Sequence, residues 1–583
     1  MVKRIAVIDN TKLKDMEKKK YIQSLCPINR TGSDCIYFEG SKLFINESMC
    51  IGCGICVNAA PDAIKVINLP EALEKEPIHR YGQNEFALYS LPIPVFGKVV
   101  GIIGINGIGK STAIKILADV LKPNLGNLGK DAKIQDVIEY FKGTQAQLYF
   151  EKVKKKEIKV AYKPQHVDQI AKQYSGKVID LLKKADEKNM LKETAEKFEL
   201  TKILDRDIKN ISGGELQRLA VAAAFLRKAN LYIFDEVTSY LDIKQRLKVA
   251  KEIKDLADEK TAVIVIEHDL IALDYMTDLV HIMYGKEGAY GIVSQIRPTK
   301  NGINSFLEGY LREENIRFRD HKISFTVKAP FKSSITHELA GWDAFKKKLG
   351  DFTLSSDGGA IRYNEKIGVL GENGIGKTSF VKILASEIKP DKTEIDLKVK
   401  VSYKPQYLNS ESEEMVMVVL QEAISKYEIE LVRPLDLKPL FFKKINELSG
   451  GELQRVSIAL CLSRDAELYL LDEPSAYLDA EQRLNVSKVI SNIVELRKVS
   501  ALIVDHDLLF LDYLSDRLMV FTGEPAVHGK ATGPYAMEQG MNTLLKELEI
   551  TLRREEVSGR PRINKEDSFK DREQKSKGKY YYE

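Results

Sequence analysis

The stretch Gly104–Thr112, GINGIGKST, decides the fold of this chain. It fits the phosphate-loop pattern G-x-x-x-x-G-K-[ST], whose glycines let backbone N–H groups turn towards phosphate oxygens. The apolar run Val99–Ile103 before it is typical of a buried strand, and Ala113–Leu121 after it is typical of a helix. The motif needs this strand–loop–helix context, and the helix start adds its positive end. We therefore predict that Lys110 meets the β- and γ-phosphates of a nucleotide and that Ser111 meets Mg²⁺.

The motif occurs a second time, at Gly371–Thr378, after the apolar run Lys366–Leu370. A repeated motif in a repeated context predicts two copies of one nucleotide-binding unit. From the glutamine onward, matching residues keep nearly constant separations: 241 residues for Gln165 and Gln406, 237 for Ser212 and Ser449, 237 for Asp235 and Asp472, and 238 for His268 and His506. The loop lysines Lys110 and Lys377 are further apart, at 267 residues.

The first copy carries an insertion between its loop lysine and its glutamine. The separations of 267 and 241 residues differ by 26, and the extra residues fall at about 125–158. Val137–Phe141 and Leu148–Val153 within this stretch are typical of two short helices around Lys142–Thr144. Because the second copy does without the insertion, we interpret it as an appendage with a partner of its own.

Each copy ends an apolar strand with two acids. The runs Leu231–Glu236 and Leu468–Glu473 are typical of buried parallel strands. We predict that Asp235 and Asp472 hold Mg²⁺ and that the glutamates that follow them polarise the attacking water.

A Ser-Gly-Gly-Glu stretch precedes each acidic strand. Ser212 with Glu215, and Ser449 with Glu452, have the spacing of a capping box at a helix start. The bare N–H groups of such a start can hold a phosphate, and the glycines let it approach closely. A plain capped helix is the alternative for either stretch alone, but its place in both copies favours nucleotide binding.

Composition sets the broad class. The chain has 583 residues, 44% hydrophobic and 30% charged, with a net charge of +5, so several soluble domains are expected. We find neither an apolar run that could span a bilayer nor a secretory leader, and we expect a cytoplasmic protein without a membrane partner. The modest net charge does not by itself argue for nucleic acid.

The first segment is rich in cysteine. Cys50, Cys53 and Cys56 form a C-x-x-C-x-x-C run that ends at Ala60-Pro61, where a bacterial ferredoxin has Cys-Pro, and Cys26-Pro27 stands upstream. In two-cluster ferredoxins the last cysteine of each run ligates the cluster of the other run. Three cysteines of the second run plus Cys26 therefore form one complete ligand set, and the other set is missing.

We infer one [4Fe–4S] cluster on these four cysteines, with a Cys₄ zinc site as the second candidate and free thiols as the third. Cys35 and Cys461 are interpreted as packing residues.

The whole arrangement resembles a known family. A phosphate loop, a glutamine in Tyr-Lys-Pro-Gln, a Ser-Gly-Gly signature, an Asp-Glu strand, a Tyr-Leu-Asp loop and a histidine follow one another twice, as in twin ATP-binding-cassette proteins. With the cysteine segment in front, the chain resembles subfamily E, the RNase L inhibitor family of ribosome-recycling ATPases, and within it an archaeal member. Further matching stretches include Asn29–Gly32, His79–Gly82, Lys163–Asp168, Gly302–Leu307 and Arg562–Lys565.

The resemblance implies the architecture. The expected fold is α/β: two phosphate-loop cassettes in tandem behind a ferredoxin-like α+β segment. The implied domains are residues 1–72 for the iron–sulfur domain, 73–298 for the first cassette, 299–322 for a first hinge, 323–532 for the second cassette, and 533–583 for a second hinge and tail. A monomer is expected, with its cassettes facing each other head to tail.

The resemblance also implies the site residues. Each ATP would lie between the phosphate loop of one cassette and the signature of the other, with Asp242 and Asp479 linking the halves. Glu236, Glu473, His268 and His506 would be catalytic; Tyr81 and Phe86 could stack on adenine, with core packing as the alternative. The implied magnesium-site residues are Ser111, Gln165, Asp235, Thr378, Gln406 and Asp472. The implied ATP-binding residues are Asn106, Gly107, Gly109, Lys110, Ser111, Thr112, Gln165, Ser212, Gly213, Gly214, Asn373, Gly374, Gly376, Lys377, Thr378, Ser379, Gln406, Ser449, Gly450 and Gly451.

The implied function is ribosome recycling. ATP would close the cassettes, and the iron–sulfur segment would be levered between ribosomal subunits, with the insertion on the small subunit and a release-factor-like protein as a further partner. The alternatives are the ATPase pair of a membrane importer, which leaves the cysteines unexplained, and a non-catalytic ribosome-binding scaffold, which the two glutamates argue against. The family carries two clusters, so this chain departs from it in its first segment.

Overall fold

A computed structural model describes residues 4–68, 76–323, 337–391, 397–406 and 411–581 of the chain. Its contacts divide the chain into two compact units. The first consists of Met1–Val237, Ile253–Glu267 and Thr277–His321, and the second of Thr238–Glu252, His268–Met276 and Lys322–Glu583. The second unit thus contains two short segments of the first sequence copy. The predicted domain boundary at residue 72 lies outside the described residues, and the other boundaries stay predictions.

The cysteine-bearing segment is a small α+β fold. Its outer strands pair antiparallel, from Arg4 opposite Asn68 to Ile8 opposite Ile64, and its inner strands form an antiparallel hairpin. The elements are β1 (Arg4–Ile8), α1 (Met16–Leu25), α2 (Pro27–Arg30), β2 (Ile36–Glu39), β3 (Lys42–Ile45), α3 (Ile55–Ala59) and β4 (Ile64–Asn68).

Two positions of the missing ligand set are occupied by Ile22 and Ala60, counting with the ferredoxin spacing from Cys26 and from Cys56. Leu13, Ile22 and Ala60 are 1%, 0% and 4% exposed and belong to one apolar cluster with Cys26 and Cys56. Apolar side chains therefore fill these two positions, whereas the buried Lys19, at a third, donates its Nζ to the Ser41 carbonyl.

The first copy is built on one nine-stranded sheet. Its elements are β5 (His79–Arg80), β6 (Ala87–Leu88), β7 (Val99–Ile103), α4 (Lys110–Leu117), α5 (Ile134–Tyr140), α6 (Gln145–Lys154), β8 (Val160–Lys163), α7 (Asp168–Gln173), α8 (Val178–Ala185), α9 (Leu191–Lys197), α10 (Gly213–Phe225), β9 (Leu231–Asp235), α11 (Ile243–Asp255), β10 (Ala262–Ile266), α12 (Leu270–Met276), β11 (Leu279–Lys286), β12 (Tyr290–Val293) and β13 (Arg297–Pro298).

The strand order is β5-β6-β12-β11-β7-β10-β9-β8, with β13 beside β11. The central strands β7, β10 and β9 are buried at every position and pair in parallel. Continuous burial explains why their sequences read as unbroken apolar runs. The carboxyl ends of these strands meet at one edge of the sheet, and the phosphate loop and the Asp-Glu pair both leave from that edge.

The insertion forms the two predicted helices, α5 and α6. Phe141 and Phe150 stack with ring centroids 5.4 Å apart, and both are buried in the core cluster of the first sheet. Leu148 remains 59% exposed. The helix pair is therefore anchored on one face and leaves apolar surface on another.

The second copy repeats the plan. Its sheet has the order β17-β18-β25-β24-β20-β23-β22-β21. The remaining elements of the chain are α13 (Thr299–Glu308), β14 (Tyr310–Leu311), β15 (Ile316–Arg317), β16 (Glu338–Trp342), β17 (Phe345–Leu349), β18 (Phe352–Ser356), β19 (Gly359–Arg362), β20 (Lys366–Leu370), α14 (Lys377–Leu384), β21 (Val401–Lys404), α15 (Val416–Val419), α16 (Gln421–Lys426), α17 (Gly450–Ser463), β22 (Leu468–Asp472), α18 (Ala480–Arg497), β23 (Ser500–Val504), α19 (Leu508–Leu514), β24 (Arg517–Glu524), β25 (His528–Ala536), α20 (Met537–Glu547), β26 (Leu552–Arg554), β27 (Pro561–Ile563) and α21 (Phe569–Ser576).

Among the described residues, no helix is long and apolar enough to cross a membrane.

Candidate functional site

The first phosphate loop joins β7 to α4. Gly109, in the left-handed region at φ 86°, stands at the N-cap of α4, so the helix starts within the loop. A Cβ there would also lie 2.5 Å from the Phe86 ring, which explains the need for glycine. The buried Lys110 Nζ donates to the carbonyl oxygens of Gly104 and Ile105, at 2.8 Å each. The loop thus holds its lysine inside the curve where phosphate oxygens would lie.

The magnesium candidate of the first copy is Asp235, at the end of β9. Its side chain is 1% exposed, and neither carboxylate oxygen has a hydrogen-bond partner by geometry among the described residues. Burial raises its pKa to about 6, although the nearby Ser111 hydroxyl lowers it. Two buried oxygens without partners beside a hydroxyl are the donor set that Mg²⁺ prefers, so the residues fit this ion.

Glu236 follows with its backbone in the left-handed region, at φ 51°. Its Oε1 accepts a hydrogen bond of 2.6 Å from Gln165 Nε2. Its carbonyl oxygen accepts from Gln217 Nε2 at 2.6 Å and from Lys163 Nζ at 2.8 Å. The first unit therefore brings the predicted glutamine and glutamate together. His268 belongs to the second unit, and its pairing with Glu236 stays a prediction.

The second phosphate loop has the same geometry. Gly376 caps α14 at φ 93°, and the buried Lys377 Nζ donates to the carbonyl oxygens of Gly371 at 2.9 Å and Glu372 at 2.6 Å. Burial lowers the pKa of Lys377 to about 8, against the attraction of Asp242 and Glu473. A lysine with this pKa is still mostly protonated at neutral pH, and a nearby phosphate would raise its pKa again.

The two acids of the second copy have divergent pKa values. Burial raises the pKa of Asp472 to about 6, and both of its buried carboxylate oxygens lack a hydrogen-bond partner among the described residues. Burial would also raise the pKa of Glu473, but the neighbouring His506 and the charge of Lys377 outweigh it and hold that pKa well below its usual range. Glu473 Oε1 lies 2.8 Å from Gln406 Nε2 and 3.4 Å from His506 Nε2. Asp472 thus suits a metal, and Glu473 suits a permanently charged orienting role.

The second unit also holds a contact to the Tyr-Leu-Asp loop of the first copy. Asn373 donates its backbone N–H to Asp242 Oδ2 at 2.9 Å and its side-chain amide to the Tyr240 carbonyl at 3.2 Å. Lys244 forms an ion pair of 2.8 Å with Glu372. The predicted linking role of Asp242 therefore has a structural counterpart at the second phosphate loop.

Both signature turns are capping boxes, as predicted. Ser212 N donates to Glu215 Oε2 at 2.7 Å, and Ser449 N donates to Glu452 Oε2 at 2.8 Å. The serines and the first glycine of each turn are exposed. Their pairing with the opposite phosphate loops stays a prediction.

The candidate adenine residues differ in their surroundings. Tyr81 is 51% exposed, and its hydroxyl lies 3.0 Å from Thr112 Oγ1 beside the first loop. Phe86 is half-buried against the core and touches the loop at Gly109. Tyr81 is therefore the more accessible ring.

Five cysteines line one cavity of the first segment: Cys26, Cys35, Cys50, Cys53 and Cys56. Burial, followed by the neighbouring Cys50 and Cys53, raises the pKa of Cys56 to about 11. No three His, Cys, Asp or Glu side chains in the described parts of the chain are grouped to hold a single metal ion. In a cubane cluster each thiolate binds its own iron, so thiols spread around one cavity fit that group. Cys35, which the sequence assigns to packing, borders the same cavity and is buried.

Sequence reasoning missed two supporting pairs. Lys163 and Lys404 are each 1% exposed and donate to the carbonyl oxygens of the Asp-Glu pair, at 2.8 Å from Asp235 and 2.7 Å from Asp472. Gln454 Nε2 donates to the Glu473 carbonyl at 2.7 Å, as Gln217 does in the first copy. The sequence did carry a signal for these residues. The lysine recurs two positions before the loop glutamine in both copies, and the second glutamine recurs just after the Ser-Gly-Gly-Glu stretch in both.

Comparison with known proteins gives the family. The ABC transporter family model matches residues 95–239 and 356–476, so the chain is an ATPase that takes ATP and Mg²⁺. An uncharacterised ABC transporter ATP-binding protein of Methanocaldococcus jannaschii is 50% identical over 99% of this chain and 97% of its own length. ABC transporter E family member 1 of Arabidopsis thaliana is 44% identical over 99% and 98%.

Two solved structures extend this likeness to the fold. A model of ribosome-bound archaeal Pelota and ABCE1 covers 100% of both chains at 49% identity and a TM-score of 0.92. The complex of archaeal ribosomal stalk protein aP1 with the ribosome recycling factor aABCE1 covers 88% of this chain and 100% of that one at 51% identity and a TM-score of 0.83. The chain therefore belongs to the E family of ATP-binding-cassette proteins.

Proposed function

We propose that this ATPase recycles ribosomes: it splits them into subunits after termination and stays on the small subunit. The observation that carries the proposal is the likeness to ribosome-bound archaeal ABCE1 over the whole of both chains, at a TM-score of 0.92. The solved relative is bound beside Pelota, which supports a release-factor-like partner for this chain. A cytoplasmic location follows from that role.

The insertion is the proposed contact to the small subunit. It is packed on the first sheet through Phe141 and Phe150 and carries the basic run Lys152–Lys156 at the end of α6. A rigid helix pair with exposed lysines suits an RNA-rich surface, because phosphates attract such side chains.

The first segment would carry one [4Fe–4S] cluster on Cys26, Cys50, Cys53 and Cys56. The cavity that these residues line supports this assignment, and zinc is the second candidate. When bound, the cluster would act as a rigid cross-link of the segment. The packing of Ile22 and Ala60 supports a single cluster.

We propose that two ATP sites, each shared between the cassettes, drive the conformational change. Lys110, Ser111, Gln165, Asp235, Glu236 and His268 would face Ser449 and Gly451, while Lys377, Thr378, Gln406, Asp472, Glu473 and His506 would face Ser212 and Gly214. The Asp242 contact at Asn373 supports the head-to-tail arrangement. Closure on ATP would then move the cysteine-bearing segment, since γ-phosphate contacts are the usual trigger of such changes.

Cosedimentation tests the proposal. The full chain should pellet with small ribosomal subunits in the presence of a non-hydrolysable ATP analogue and less so without nucleotide. A chain that lacks residues 125–158 should lose this binding and keep its basal ATPase. Equal pelleting of both proteins would contradict the role of the insertion, and no ribosome binding at all would contradict recycling.

A further inference from the structure

A groove of about 630 Å³ lies along the outer edge of the first sheet. Its wall is the edge strand β8 with its flanks, from Lys159 to Pro164, and β8 pairs only with β9 among the described strands. An edge strand of this kind offers backbone N–H and C=O groups to an added strand.

The floor of the groove is small and apolar. Ala220, Ala223 and Ala224 of α10 line it, together with Leu181 and Tyr174. Alanines leave room for a chain to approach the strand edge, and the larger side chains give it apolar contact.

The rim is basic. Lys159, Lys184, Arg227 and Lys228 are exposed around the groove, and Glu187 is the one acidic side chain that lines it in the described chain. Glu187 is already engaged, by Arg227 at 2.6 Å and by the backbone N–H of Lys228 at 2.9 Å. The groove therefore presents excess positive charge to any occupant.

The second copy keeps part of this arrangement: β21 ends its sheet as β8 does, and Lys400 and Arg464 stand at the positions of Lys159 and Arg227. Counting from the signature serines, Asp465 replaces Lys228 and pairs with Lys400 at 2.9 Å, and Leu460 replaces Ala223. The Ser402 hydroxyl donates to the Cys461 carbonyl at 2.9 Å in this region. The small side chain of Ala223 and the positive charge of Lys228 thus distinguish the groove of the first copy from the same place in the second.

We propose that this groove binds an extended acidic peptide segment of a partner protein, which adds a strand to β8. The four residues of β8 span about 13 Å, so the strand pairing with the peptide would be short. Binding would therefore depend strongly on the attraction between the acidic peptide and the basic rim. A peptide is favoured over RNA because the groove offers an unpaired strand edge and an alanine floor. The strand leads directly into Gln165, whose amide holds Glu236, so an occupant would lie next to the ATP machinery.

The test uses a fluorescein-labelled peptide of alternating glutamate and valine, with the full chain and fluorescence anisotropy. Lys228→Asp and Ala223→Leu each install the residue of the second copy, and Lys202→Asp, at an exposed lysine that does not line the groove, is the matched control. Each of the first two substitutions should weaken binding about tenfold, and the control should not. Hydrogen exchange should show peptide-dependent protection of Val160–Lys163.

Three results would overturn the proposal. One is equal peptide binding by the wild type and Lys228→Asp, a surface change that should leave folding intact. Another is binding without protection of the β8 amides. The third is a single-stranded oligouridylate that binds as tightly as the peptide and is lost with Lys228→Asp but not with Ala223→Leu, which would assign the groove to RNA.

Discussion

Glu473→Gln removes the charge that we assign to water activation while leaving the shape of the second site unchanged. The amide oxygen of the replacement can still accept the hydrogen bond that Gln406 donates to Oε1 over 2.8 Å. ATP binding and closure should therefore persist, and turnover should fall.

The structure limits the size of the effect. General-base catalysis is worth about 10²- to 10⁴-fold, with the larger values for a base whose pKa lies near the working pH. The pKa of Glu473 is held well below its usual range, so this carboxylate is a weak base that acts mainly by charge and orientation. We expect a loss of about 10²-fold in kcat at this site, or about 2.7 kcal/mol of barrier.

The assay is steady-state ATP hydrolysis beside nucleotide binding, with the single variants Glu473→Gln and Glu236→Gln and the double variant. Glu538→Gln, at an exposed acid of α20, is the control. The double variant should bind ATP with wild-type affinity and turn over at about one hundredth of the normal rate. Unchanged turnover in the double variant would refute the assignment.

Three further predictions address the metals and the support of the site. Replacing Cys26 by alanine should abolish iron binding although Cys26 is remote from Cys50 in sequence; iron quantitation and the visible spectrum check this, and zinc without iron in the wild type would refute the cluster. Burial raises the pKa of Asp235 and Asp472 to about 6, so their carboxylates are protonated below that pH. Apparent Mg²⁺ affinity should therefore fall about tenfold for each pH unit below 6, measured as the Mg²⁺ dependence of hydrolysis, and a flat profile would contradict it. Gln454→Leu deprives the Glu473 carbonyl of its 2.7 Å donor and should cost about 1–3 kcal/mol of local stability, seen as faster hydrogen exchange of β22, with the exposed Gln539→Leu as control.

The repeated motifs made the fold predictable. The glycines of each phosphate loop, the apolar strands and the Ser-Gly-Gly-Glu boxes are local signals, because each needs only its neighbours in sequence to form. The insertion was predictable for the same reason, and the structure confirms both of its helices.

Other features depend on long-range packing and could not be predicted. The recurrence of Lys163 as Lys404 marks both lysines in the sequence, but it does not show that the partner of Lys163 is the Asp235 carbonyl 72 residues away. The position of Cys35 does not match the ferredoxin ligand spacing of the other cysteines, yet the fold brings it to the cavity that they line. The grouping of Thr238–Glu252 with the second unit likewise arises from tertiary contacts.

The left-handed backbone of Glu236 and Glu473, at φ 51° and 48°, limits which mutations these positions tolerate. Such a conformation costs about 1–3 kcal/mol for a residue with a side chain, and more for a β-branched one. Two requirements therefore restrict these positions: the side chain must carry a carboxylate, and the residue must tolerate a left-handed backbone. Glycine would meet the second requirement and lose the carboxylate, while valine or isoleucine would meet neither. After random mutagenesis of these two codons, the set of residues that preserves function should therefore not be explained by chemical similarity to glutamate alone.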